Sequence, residues 1–103
     1  MNDIISLTYR GQKHEGLSAN ALADAFASVP PGRHLVYFSG ILMLARGLGR
    51  PESSEIAQAA SLAWKYYENG TALLCQRPGR NGGHDYIIVK KRDRAQHHAG
   101  LAA

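Results

Sequence analysis

The sequence predicts a single α+β domain on three observations. Two segments have helical periodicity with readable ends, apolar runs of strand length lie between and after them, and a glycine-rich connection, "RPGRNGGH" at 77–84, joins the last two runs. A chain of 103 residues, 45% of them hydrophobic, suits one small core. The folded domain is expected over 1–92, and the polar, His-containing basic end at 93–103 is expected to be a disordered tail.

In chain order, "IISLTYRG" at 4–11 has the β-branched and aromatic content of a short additional strand. The stretch "LSANALADAFASVPPG" predicts the first helix. Ser18 is a suitable N-cap, Leu17 can pack on Leu22, and Leu22, Ala25, Phe26 and Val29 recur at helical spacing until Pro30 and Pro31 stop the run. "RHLVYFSG" is apolar on both faces and reads as a buried strand. "ILMLARGLGR" allows a short helix ended by Gly47 and Gly49.

The long helix is expected within "RPESSEIAQAASLAWKYYENG". Pro51 suits its first turn, Glu52 and Glu55 complement the positive end of the dipole, and Asn69-Gly70 stops it. Ile56, Ala59, Ala60, Leu62, Ala63, Trp64, Tyr66 and Tyr67 cover a wide apolar arc, leaving a narrow polar strip with Gln58, Ser61, Lys65, Glu68 and Asn69. Trp64 and Tyr66 lie about 200° apart around the axis, so one of the aromatic residues belongs at an edge or an interface. The wide arc also suggests a homodimer contact through Leu62 and Tyr66.

"TALLCQR" and "HDYIIVKKR", joined by the glycine-rich loop, predict a β-hairpin. Because the loop leads into a strand and not a helix N-terminus, and neither GxxxxGK[ST] nor GxGxxG is present, a nucleotide cradle is rejected. The sole cysteine, Cys75, lies in an apolar run and reads as a buried core residue. His14, His34, His84, His97 and His98 have no metal-ligand spacing, and His84 and Asp85, adjacent on a strand, point to opposite faces. Neither catalysis, a metal nor a cofactor is expected. No apolar stretch approaches the roughly 20 residues of a membrane span, so a cytoplasmic protein is expected.

Charge is unevenly placed. Residues 1–70 carry six bases and six acids, whereas 71–103 carry Arg77, Arg80, Lys90, Lys91, Arg92 and Arg94 against Asp85 and Asp93, which accounts for the whole net +4. Such a concentration suits a polyanion-binding surface.

The order helix, strand, short helix, long helix, hairpin over residues 18–92 resembles the winged helix-turn-helix superfamily, and loosely resembles small phage and prophage proteins. The resemblance implies a DNA-binding protein, a transcriptional regulator of phage or mobile-element origin, with 53–70 as recognition helix and 71–91 as wing. Gln58, Ser61 and Lys65 would then read base edges, while Arg77, Arg80, Asn81, Lys90, Lys91 and Arg92 would meet phosphate or the minor groove. The sequence departs from the pattern on the long helix, where Glu52, Glu55 and Glu68 outnumber Lys65 and give residues 51–69 a net charge of −2. That departure suggests a second class: a protein-interaction module on the same scaffold, such as a phage-encoded inhibitor of the anti-CRISPR kind docking on a host nucleoprotein complex.

Overall fold

A computed structural model describes residues 3–79 and 83–92 of the chain. The tail at 93–103 and the loop residues 80–82 lie outside the described residues. Eight elements follow one another: β1 (Ile4–Tyr9), β2 (Gln12–Leu17), α1 (Ala19–Ser28), β3 (His34–Gly40), α2 (Leu42–Arg46), α3 (Pro51–Glu68), β4 (Ala72–Pro78) and β5 (His84–Lys90). The strands form one antiparallel sheet in the order β1-β2-β3-β5-β4. The α+β class is therefore as the sequence predicts.

The expected strand at 4–11 is half of a hairpin. Arg10 and Gly11 turn the chain with φ of 51° and 78°, which brings Tyr9 opposite Gln12. Two consecutive positive φ angles match the twist of the flanking strands. The return strand β2 escaped the sequence reading for a physical reason. Its inward-facing positions are His14 and Gly16, opposite Leu7 and Ile5, so no apolar alternation marks it. Gly16 is there for space: a Cβ at this position would lie 2.6 Å from the Tyr37 carbonyl oxygen and 2.8 Å from Phe38 Cδ1.

Local chemistry delimits the helices. Ser18 Oγ accepts the Ala21 N–H at 3.1 Å, and α1 ends before Pro30 with Leu22 and Phe26 buried. Pro51 opens α3, whose cap residue Asn69 precedes Gly70 at φ 82°. Before α3, the Arg50 guanidinium donates to the Thr8 carbonyl at 2.8 Å and fastens this end over the N-terminal hairpin.

All three helices lie on one face of the sheet. Ile5, Leu7, Phe38, Ala72 and Ile88 meet Leu22, Phe26, Ala45, Ile56, Ala59 and Ala63 in a single core. A register shift between Val36 and Phe38 leaves Tyr37 as an extra residue in β3, and Tyr37 and Phe38 are both buried. Cys75 requires a correction: it is exposed, not a core residue. On β4, Ala72 and Leu74 take the inward positions, and alternation sends Leu73 and Cys75 to the opposite face. Among the described residues no helix is long and apolar enough to cross a membrane.

Candidate nucleic-acid interface

Within the larger sheet, β3, β5 and β4 are neighbours, and α2 leads through a four-residue turn, 47–50, into α3. The buried side of α3 comprises Ser53, Ile56, Ala59 and Ala63. Burying that stripe leaves Gln58, Ser61 and Lys65 exposed at i, i+3 and i+7. These three border a groove of about 590 Å³ between α3 and the start of α1, which Asn20, Ala23 and Ser54 also line. Lys65 borders a second groove as well, of about 410 Å³, where Arg46 at the end of α2 joins it beside Trp64 and Tyr37. Arg46, which carried no motif in the sequence, reaches this place because α2 is short and abuts α3.

Among the described residues, the basic side chains of the hairpin do not all gather on one surface. Arg77 donates through Nε to Asp85 Oδ2 at 3.0 Å, and Ser39 Oγ donates to Asp85 Oδ1 at 2.8 Å. Register puts Arg77, Asp85, Ser39 and Glu15 in one row on the sheet face away from the helices. Lys90 points the other way. Its Nζ donates to the carbonyls of Phe26 and Ala27 at 3.0 and 3.3 Å and sits 5.4 Å from the Phe26 ring centroid. A cation at this end satisfies carbonyls that α1 leaves unpaired and offsets the negative end of its dipole. Lys91 and Arg92 lie with Lys90 beside a cleft bordered by Tyr66 and Thr71. Five residues of extended β5 separate Asp85 from Lys90, or about 17 Å. Arg80 and Asn81 lie outside the described residues.

Leu62 and Tyr66 are partly buried against their own core, and Tyr66 stacks on Phe26 with centroids 4.1 Å apart and planes at 24°. The exposed aromatic residues of α3 are instead Trp64 and Tyr67, 52% and 45% accessible, with centroids 5.0 Å apart. Met43 on α2 is 84% accessible. Glu55 and Glu68 are exposed, and Glu52 is half-buried. A helical wheel shows that Trp64 and Tyr66 diverge, but only the position of α1 decides which one is covered.

The His84 ring lies 6.1 Å from that of Tyr86, edge to face, while Asp85 on the other face is held by Arg77 and Ser39. The Tyr37 hydroxyl is pushed up to about 12, chiefly by burial and further by the proximity of Tyr86 and Cys75, so at neutral pH it is a protonated phenol. Among the described residues, no three His, Cys, Asp or Glu side chains come together as metal ligands. Comparison of the chain with known protein families, with curated proteins and with solved structures found no match.

Proposed function

We propose that this chain is a small winged-helix-type protein that binds duplex DNA, with the outer strip of α3 facing the groove, and that its role is that of a transcription regulator. The observation that carries this reading is the joint exposure of Gln58, Ser61 and Lys65 on the helix that follows the short helix and turn. Glutamine pairs with adenine edges and lysine with guanine edges or phosphate. Arg46 extends the cationic side of this surface toward α2. Arg77 and Lys90 have structural employment and are assigned no DNA contact. Fewer phosphate contacts mean modest affinity and a shallow salt dependence.

The test is fluorescence anisotropy of labelled duplex DNA titrated with the full chain at several salt concentrations. Lys65→Ala combined with Arg46→Ala should reduce the slope of log K against log salt by about one to two. Absence of binding to any duplex at low salt overturns the reading, and an unchanged slope in the double variant removes this surface from it.

A second reading, a protein-interaction module of the inhibitor kind, is favoured by one specific observation. Met43, Trp64 and Tyr67 stand exposed on the same helical layer. Tryptophan, tyrosine and methionine are enriched in protein interfaces.

A further inference from the structure

Trp64 is 52% accessible, although a tryptophan ordinarily finds cover. Tyr67, three residues on, lies against it with ring centroids 5.0 Å apart, and Trp64 also borders the groove of about 410 Å³ between α2, α3 and β4. The walls of this groove are apolar: Leu42 begins α2, Ala60 precedes Trp64 by one turn, and Leu74 comes from β4. Arg46, Lys65 and Glu68 border it as well, so two cations stand against one acid. Among the described residues no ion pair or hydrogen bond engages the side chain of Arg46 or Lys65. Tyr37 supplies a further polar group. Its ring lies 6.4 Å from that of Tyr86 on β5, and Cys75 on β4 is near enough to help raise its pKa, so the side chain reaches across β5 to the groove beside Leu74. The residue is 6% accessible, yet its hydroxyl has no hydrogen-bond partner among the described residues. Nor is that hydroxyl fully enclosed, as the unpartnered His14 Nε2 and Ser53 Oγ are. A protonated phenol at neutral pH, it stands at the groove as a donor.

We propose that this groove binds a small aromatic monocarboxylate, with its ring on Trp64, its carboxylate held by Arg46 and Lys65, and an oxygen at its other end accepting from the Tyr37 hydroxyl. Each part of the ligand answers a feature of the groove. Trp64, braced by Tyr67, offers an indole surface to a second ring. The guanidinium fork of Arg46 matches a carboxylate in geometry, and Lys65 adds a second cation. Two cations against Glu68 leave a single positive charge, which suits a monoanion, whereas Glu68 opposes the second negative charge of a phosphate monoester. The volume is that of an ordinary small-molecule cleft, lined mainly by apolar side chains with a few polar groups at fixed places. Arg46 and Lys65 are also the cations proposed above to meet DNA, so carboxylate and duplex exclude one another there. The carboxylate site itself does not rest on the DNA-binding reading, and its test contains no DNA.

The probe is 4-hydroxyphenylacetate, titrated into the full chain. Trp64 is the sole tryptophan, so its fluorescence reports occupation of the groove directly. Saturable quenching with a Kd between about 10 μM and about 1 mM is expected, with the same Kd by calorimetry. 4-Hydroxyphenylacetamide, which keeps the shape and loses the charge, should bind about tenfold more weakly or worse. Arg46→Gln and Lys65→Gln should each raise the Kd about fivefold or more. Lys13→Gln, which removes the same charge from β2, should leave it unchanged. Tyr37→Phe should abolish the preference for 4-hydroxyphenylacetate over phenylacetate without changing the affinity for phenylacetate. No saturable binding up to about 10 mM, equal affinity for acid and amide, an unchanged Kd in both cation variants, or a preference that survives Tyr37→Phe overturns the assignment.

Discussion

His14 Nδ1 accepts the backbone N–H of Ile41 at 3.1 Å, which ties the N-terminal hairpin to the point where β3 gives way to α2. The bond defines the tautomer: Nδ1 presents a lone pair and Nε2 carries the hydrogen. Gly40 makes the contact possible, because a Cβ there would lie 2.5 Å from Nδ1. His14 is 1% accessible, and Nε2 has no partner among the described residues. A second proton would set one donor against another and place a charge on a buried side chain.

Burial lowers the pKa of His14 below its ordinary 6.5. Below about pH 6.5 the unfolded chain therefore binds more protons than the folded one, so stability falls as pH falls through that value and is level with respect to this group above it. Urea unfolding should show a lower midpoint at acid than at alkaline pH. His14→Gln, whose side-chain carbonyl can still accept from Ile41, should show a smaller difference between the two. Equal pH dependence in both proteins would remove His14 from the account.

Lys90 Nζ is held by the Phe26 and Ala27 carbonyls at the end of α1. Lys90→Met keeps the stem and loses the hydrogen bonds to Phe26 and Ala27, at a cost of about 1–2 kcal/mol in denaturant unfolding. DNA affinity and its salt slope should not change. A reduced slope with unaltered stability would show that the side chain leaves α1 for phosphate.

Gly16→Ala should destabilise by about 1–3 kcal/mol, since the added methyl meets the Tyr37 carbonyl and the Phe38 ring and must push β2 from β3. Thermal unfolding measures the effect. A neutral substitution would mean that the two strands are not held this closely in solution.

Reversing Glu52 and Glu55 to lysine separates the two functional readings. Under DNA binding, affinity for duplex should rise because repulsion from phosphate is relieved, and Gln58→Ala should cost roughly 1–3 kcal/mol on a preferred site and far less on random DNA. Under protein binding, the acids steer a basic partner, and the reversal should not create a Gln58-dependent DNA complex.

Much of the chain is legible locally. Ser18, Pro30, Pro51 and Asn69-Gly70 delimit the helices because capping and proline stops act within one turn, and the exposed strip of Gln58, Ser61 and Lys65 follows from helical spacing alone. Three features depended on tertiary structure. β2 is recognisable only from its pairing, because a histidine and a glycine take its inward positions. The separation of Arg77 from Lys90, adjacent in any tally of charge, arises because the two point to opposite faces and opposite ends of one hairpin. The exposure of Cys75 and Trp64, and the covering of Tyr66, were decided by which side of each element its neighbours occupy. Periodicity specifies that an element has two sides, but contacts between residues distant in sequence select the one that is buried.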